Sequence, residues 1–539
     1  MTFDANDDAL GLSGIPEDDR SAALTALIIS AADDNKAEPT LGRIYQDIAK
    51  LGLSRQLDPL DVIPALIRIE DTAARDILAL TGECSSAKEV VVAVQESIER
   101  ITAVIQDDAE EIELDKADQR SPAGQLGVLI SLYASSIPRI KLRNKSASAT
   151  ISPLLKDLED TMRMLPLQIV PDEGRALIEI TCSAVEAVYR WVLSMDIPSE
   201  DLLKCKNILH SVLQSTIIAC IPFINASLAQ EAFSLSSPKI ASRIPIKSGR
   251  EESKSAVTSA MRITKLLGFD IPSVFSNENL VPLVYFAHSP TMLPLSSPQL
   301  ATLSPLIMMS ITANVALDET LAILFRQLAG SGEVPIEVLA SLFNVVPPLA
   351  SAHPDPSIRM MAFRLLAMLL ARSPQPIHLE ILRELTSESE FPQMRSAAIG
   401  LVKEAVLEGL VQPNGQNIFA SPQFMTTFAP ILFKQNPPDL LSLGLSPEKF
   451  LETAEPSRIS ESLNLLYVLL LRDKDNRTGI RDRNALNSIE VDLLSPLRSF
   501  LANPIAADHK GEGHNHNDMS FLSLETNLQR VYSILPTLK

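Results

Sequence analysis

"DPSIRMMAFRLLAMLL" (Asp355–Leu370) and "FPQMRSAAIGLVKEAV" (Phe391–Val406) superimpose at an offset of 36 residues. Pro356 aligns with Pro392, Arg359 with Arg395, Ala362 with Ala398 and Leu365 with Leu401, while Ile358 and Met394 agree in kind. Proline suits the first turn of a helix, where an N–H would have no intrahelical acceptor. Positions 358, 362 and 365 then fall on one face, and the alanine there lets a neighbouring helix approach closely. The two segments predict helices that play the same part in successive structural units.

Outward from this pair, apolar residues recur at i, i+3, i+4 and i+7 in windows of about 12–18 residues, separated by short breaks containing Pro, Asp or Ser. Examples are Asp58-Pro59 followed by Val62, Leu66 and Ile69, and Ser86–Ile105 with Val90, Val94, Ile98 and Ile101. Strand-like alternation with Asn-Gly or Asp-Gly turns is almost absent. The paired segments resemble the second helix of HEAT-type repeats, although the offset lies between those of tetratricopeptide and of HEAT or armadillo arrays. The expected fold is all-α, an α-α superhelix of HEAT/armadillo-like helical repeats. Its expected parts are an N-terminal helical region (1–120), helical repeats (121–235), a Ser/Pro/basic linker or loop (236–255), HEAT-like repeats (256–435) and a C-terminal helical region (436–539).

Composition agrees with that architecture. The 539 residues are 46% hydrophobic but only 4% aromatic, so aliphatic side chains do the packing, as in helical proteins. Sixty-six acidic residues against 47 basic ones leave a net charge of −19, which disfavours broad binding to nucleic acid or anionic lipid and suits a basic protein partner. Cys84, Cys182, Cys205 and Cys220 form no C-x-x-C pair and have apolar neighbours, as expected of buried thiols in a reducing compartment. The opening "MTFDANDDALGLSG" (Met1–Gly14) lacks a basic and then apolar signal pattern, so the cytoplasm is the expected location, with the nucleus as a second compartment. Asn207–Gln230 reads as a buried helix, and Asn279–Leu317 as short helical pieces divided by Pro282, Pro290, Pro294, Pro298 and Pro305, so no membrane span is expected.

No residue pattern points to catalysis, a cofactor or a small-molecule substrate. The Walker, G-x-S-x-G, G-x-G-x-x-G and H-E-x-x-H patterns are all missing. His210, His288, His353 and His378 stand alone as core or loop residues, and Cys205 with His210 reads as a buried pair before a redox pair. The tract His509–Asp518, with His509, His514 and His516, reads as an exposed polar loop before a zinc site. The acidic run Asp107–Asp118 reads as a solvated helix end or loop, with a partner-binding patch as the alternative.

One polar knot resists so bland a reading. In "ESLNLLYVLLLRDKDNRTGIRDR" (Glu461–Arg483), Leu463, Leu466, Tyr467 and Leu470 form a stripe that ends at Asp473-Lys474-Asp475-Asn476-Arg477-Thr478-Gly479. As a calcium loop it fails, because Arg477, Thr478 and Asn484 occupy positions that need a ligand, glycine and glutamate. It reads instead as a loop between two helices, the second capped by Asn487 with Glu490 and carrying Ile489, Leu493, Leu497 and Leu501 on its face. Its surplus charge marks a docking edge made of Arg472, Asp473, Lys474, Asp475, Asn476, Arg477, Thr478, Gly479 and Arg481.

That stretch, with "LLSPLR" (Leu493–Arg498), resembles the C-terminal region of the glomulin and fungal Yap-binding family. The matching positions are Leu463, Asn464, Leu465, Leu466, Asp473, Lys474, Asn476, Thr478, Gly479, Ile480 and Pro496; Arg481-Asp482 stand where the family pattern has an aromatic. The resemblance implies a HEAT-like helical-repeat adaptor without catalytic activity. It further implies binding of a Yap-type bZIP transcription factor in the oxidative-stress response or, alternatively, of the RING subunit of a cullin ligase, which blocks recruitment of the conjugating enzyme. A nuclear transport receptor, also an acidic helical solenoid, is the more remote reading.

Overall fold

The structure, a computed structural model, describes residues 16–33, 38–107, 119–142, 145–165, 170–242, 244–245, 248–270, 279–289, 294–330, 334–412, 417–438, 440–441, 447–502 and 517–538. The sequence run 108–118 and most of the His-rich tract lie outside the described residues. The fold is all-α: among the described residues the sole strand-like pairing is one isolated antiparallel bridge, Ile69 with Gln119. The chain divides into two compact units, residues 1–293 with 302–323, and 294–301 with 324–539.

The first unit contains α1 (Glu17–Asp33), α2 (Leu41–Leu51), α3 (Pro59–Leu66), α4 (Thr72–Cys84), α5 (Ala87–Asp107), α6 (Pro122–Ser136) and α7 (Ala147–Met164). It continues with α8 (Pro171–Leu193), α9 (Ser199–Cys220), α10 (Leu228–Ser236), α11 (Pro238–Ala241), α12 (Arg250–Leu266) and α13 (Val281–His288). From α1 to α9 each helix packs on the next but one, giving a row α1–α3–α5–α7–α9 and a second row α2–α4–α6–α8 that α12 extends, joined by α3 on α4, α5 on α6 and α8 on α9. This is the arrangement of helical repeats, in which each pair buries its leucine-rich faces against the adjacent pair.

Local chemistry fixes the helix ends. Asp58 accepts the Leu60 N–H at 3.0 Å and Pro59 opens α3, while Val62 and Leu66 are fully buried. Ile69, expected on the same stripe, lies beyond the end of α3 in the bridge to Gln119. The chain has to leave the helical conformation there, because Asp71 adopts extended backbone to cap α4 through Ala73 N at 2.5 Å. Val90, Val94, Ile98 and Ile101 line the buried face of α5 as the periodicity predicts.

Within 236–255, the described residues include α11 and the first residues of α12. Cys182, Cys205 and Cys220 are buried, whereas Cys84 is exposed, a departure from the expectation for all four. Here α4 ends at Cys84, and it is Ser85 that turns inward, its hydroxyl donating to the Leu57 carbonyl at 3.0 Å. Among the described residues no single helix is long and apolar enough to cross a membrane. Asn207–Gln230 is divided between α9 and α10, not one helix, and the two are bent by 60° with a short 3-10 turn between them.

Two helices run through the division between units, α14 (Ser297–Ala313) and α15 (Leu317–Ala329). Pro305 was expected to break the chain but lies inside α14. Pro305 lies on the exposed side of the helix, and buried Leu303, Leu306 and Ile307 keep the helix in place.

The second unit contains α16 (Ile336–Ala352), α17 (Pro356–Arg372), α18 (Gln375–Ser387), α19 (Pro392–Val411), α20 (Pro422–Leu432) and α21 (Pro447–Leu451). It closes with α22 (Glu455–Arg472), α23 (Arg483–Ile489), α24 (Ser495–Leu501) and α25 (Asn517–Ile534), a π-helical turn joining α23 to α24. The repeated segments are α17 and α19. Pro356 and Pro392 stand in their first turns, and Ala362, Ala398 and Leu365 are fully buried, with Leu401 and Met394 nearly so.

The matched arginines also do the same work. Arg359 donates to the His353 carbonyl at 2.6 Å, and Arg395 to the Ser389 carbonyl at 2.6 Å. Each guanidinium reaches back to the residue six places earlier and holds the loop that feeds its helix.

Candidate functional site

The polar knot leaves α22, whose Leu463, Leu466 and Leu470 are buried against the second unit's core. The helix stops because Asp473 turns out of helical geometry after its N–H reaches the Leu469 carbonyl at 2.9 Å. The Asp473 side chain is only 1% exposed. One carboxylate oxygen accepts the Arg477 N–H at 2.8 Å, and the other accepts the Thr478 N–H at 2.8 Å and its hydroxyl at 2.6 Å. A carboxylate whose two oxygens are taken up by N–H and O–H donors of its own turn shapes that turn.

Around this centre the loop closes on itself. Asn476, at φ 52°, donates from its amide to Asp482 at 2.7 Å and accepts the Arg481 N–H at 2.8 Å. Gly479 sits at φ 81°, where a β-carbon would be strained and would lie 3.3 Å from an Asp482 carboxylate oxygen. Ile480 points into the core and is fully buried.

Two arginines of the knot act as helix C-caps. Arg481 donates to the Leu470 carbonyl at 2.7 Å, in the last turn of α22, and to Lys474 at 3.3 Å. Arg477 donates to the Leu410 and Gln412 carbonyls at 3.2 and 3.1 Å, at the end of α19. Guanidinium on terminal carbonyls satisfies orphan acceptors and opposes the negative end of the helix dipole.

The nine residues read as a docking edge therefore divide by where their polar groups go. Asp473, Asn476, Arg477, Thr478 and Arg481 face partners within the chain, and Gly479 supplies the turn. Arg472, Lys474 and Asp475 are exposed. The second helix begins earlier than expected: its N-cap is Asp482, and Asn487 lies inside α23. The knot's own turn explains the shift, because Asp482 is positioned by Asn476 and by its N–H to the Gly479 carbonyl at 3.1 Å. Ile489, Leu493 and Leu497 are buried as expected, and Leu501 is half-buried.

Sequence reasoning passed over two neighbours. Val411, at the end of α19 between the two carbonyls that Arg477 holds, is 83% exposed; an apolar residue just before Gln412-Pro413-Asn414-Gly415 was the available signal. Arg458 is buried, bonded to Glu455 at 2.7 Å and to the Ile431 and Lys434 carbonyls at 3.1 and 2.8 Å. Nothing in the surrounding periodicity marks it.

Residues 291–529, which contain the whole of this loop, match the family described as "Uncharacterised protein family, YAP/Alf4/glomulin". Over that segment the chain is similar to the YAP/Alf4/glomulin family. The family is of protein-binding adaptor type and is not a known enzyme family. A search of curated proteins finds no match.

The buried titratable groups outside the loop have structural surroundings. Cys205 and His210 both lie on α9, but His210 stacks on Phe269 with ring centroids 4.1 Å apart. Burial lowers its pKa to about 4 and raises that of Cys205 to about 11, so the imidazole is neutral and the thiol stays protonated. Cys182 and Cys220 are likewise pushed up to about 12 by burial. None of the three has the electropositive, exposed surroundings of a reactive thiol. His288 and Glu319 approach to 4.0 Å in the interior of the first unit, where burial raises the Glu319 pKa well above the usual carboxylate range.

Proposed function

We propose that the chain is a non-catalytic adaptor that binds a Yap-type bZIP transcription factor and regulates the oxidative-stress response, acting in the cytoplasm and also in the nucleus. The observation that carries this reading is the family match over residues 291–529, within which the exposed Arg472, Lys474 and Asp475 stand on a loop held by the Asp473 carboxylate. A preorganised loop loses little freedom when it binds, and charges at a rim act on encounter and register. The net charge of −19 favours a basic partner, which is the character of a bZIP DNA-contacting region.

The family description also names glomulin, and this supports binding of a cullin-ligase RING subunit as the second reading. Affinity purification of the full chain with quantitative mass spectrometry separates the two. Recovery of a bZIP factor favours the first, a RING–cullin pair favours the second, and recovery of Ran instead indicates a transport receptor.

A further inference from the structure

We propose that the groove between α4, α6 and α8 in the first unit docks an amphipathic helical segment of a partner protein, basic on its flanks and apolar on its buried face. The groove measures about 500 Å³ and lies outside the residues that match the family. It does not depend on the C-terminal loop.

Its floor is unusual for a helix in contact with solvent. From Pro122 to Ser136, α6 carries no charged residue, and Gly124, Val128, Ser131 and Ser135 succeed one another along the face that lines the groove. An exposed helical stripe is ordinarily charged. Gly82, Gly124 and Gly127 are accounted for by packing, since a β-carbon on them would press on Ser135, Arg120 and Ile180 respectively. The remaining short side chains leave open space between walls formed by Leu78 of α4 and by Leu177 and Ile180 of α8. From 124 to 135 the floor runs about 16 Å, enough for roughly three helical turns.

Charge selects the occupant. Glu70 and Glu83 at the rim are exposed and Glu173 is half-buried, against the exposed Arg75 and, at the Ser135 end, the exposed Arg139, whose guanidinium is taken up by the Gly82, Ser85 and Ser135 carbonyls. Beyond α8 the surface continues through Asp172, Glu179, Glu251 and Glu252, of which Asp172 pairs with Arg175 and Glu251 with Arg250 and Lys254. A segment carrying lysine or arginine on its flanks meets this rim, whereas an acidic one is repelled.

Orientation follows from the groove's far end. α4, α6 and α8 run parallel, as Gly82 beside Ser135 and Ser121 bonded to Glu173 at 2.7 Å require. Their first turns gather near Arg75 and Arg120. Arg120 is 6% exposed, donates to the Ile67 carbonyl at 3.0 Å and has no acceptor for its Nη2. The C-terminal carbonyls of an antiparallel incoming helix supply acceptors at that end and complement the three positive helix termini.

The test uses the full chain and fluorescence anisotropy with two labelled helical peptides of about 14 residues. Both carry leucine and alanine on one face; the other face carries lysine in one and glutamate in the second. The lysine peptide should bind about tenfold or more tightly than the glutamate peptide. Ser131→Trp, which fills the floor from an exposed position, should weaken it about tenfold with an unchanged melting temperature. Glu83→Lys should narrow the preference between the two peptides. Equal binding of both peptides, tighter binding of the glutamate peptide, or binding insensitive to Ser131→Trp and Glu83→Lys overturns the proposal. Concentration-dependent dimerisation that Ser131→Trp abolishes also overturns it, because the occupant is then a second copy of the chain. Charge reversal at Arg472, Lys474 and Asp475 leaves peptide binding unchanged, which separates failure here from failure of the C-terminal reading.

Discussion

Thr478 donates both its backbone N–H and its hydroxyl to the same oxygen of the Asp473 carboxylate, at 2.8 and 2.6 Å. One buried acid therefore organises the loop between α22 and α23, and the charges that remain outside are those the loop does not need for its own shape. Asp473→Ala strands several buried donors and should cost about 2–4 kcal/mol. Thermal unfolding followed by circular dichroism should show the loss. A melting temperature equal to that of the unchanged protein would mean that the loop is held by something else.

Gly479 tests the same turn from the backbone. At φ 81°, with Asp482 close to the position of a β-carbon, Gly479→Val forces a β-branched side chain into the left-handed region. It should cost about 1–3 kcal/mol, while Gly479→Asn should cost less because asparagine tolerates that region. Equal stability of the two variants contradicts the assignment.

How far the fold was legible depended on whether the determining pattern was local. The helices α17 and α19 follow from Pro356, Pro392 and the apolar spacing, since both signals lie within a few residues of what they determine. Pro305 misled because breaking a helix is only its local tendency; packing of Leu303, Leu306 and Ile307 outweighs it. The knot was recognisable as a turn from Asn476, Thr478 and Gly479, but not the inward direction of its charges. Arg477 contacts Leu410 and Gln412, 67 and 65 residues away in sequence, and no local pattern announces a cap supplied at that separation. The groove along α6 was equally hidden, because it exists only once α4 and α8 flank an uncharged helix.

The paired arginines offer an internal comparison. Arg359→Met and Arg395→Met each remove a guanidinium that holds the loop before a helix, and each should destabilise the chain by about 1–2 kcal/mol. Lysine should not restore the loss, because it lacks the guanidinium's planar array of donors. Chemical denaturation midpoints of the four variants provide the check, and full rescue by lysine would contradict the shared role.

Acid sensitivity should arise partly at His210. Burial lowers its pKa in the folded chain to about 4, whereas the unfolded chain takes up the proton near 6.5. The folded state is thus fully favoured above pH 6.5 and loses stability as the pH falls toward 4, by roughly 2 kcal/mol after allowance for partial solvation. His210→Phe keeps the stack on Phe269 without a titrating nitrogen, so its stability should vary less over that window. An unaltered pH profile would contradict the assignment.

The most direct test of the adaptor account is reversal of the charges that the loop leaves exposed, Arg472→Glu, Lys474→Glu and Asp475→Lys together. Because exposed charges contribute on the order of 0–1 kcal/mol each, the melting temperature should move by only a few degrees at most. Recovery of the bZIP factor in quantitative affinity purification should fall about tenfold. Undiminished recovery by the charge-reversed protein, at unchanged stability, would contradict the claim that this loop is the docking edge.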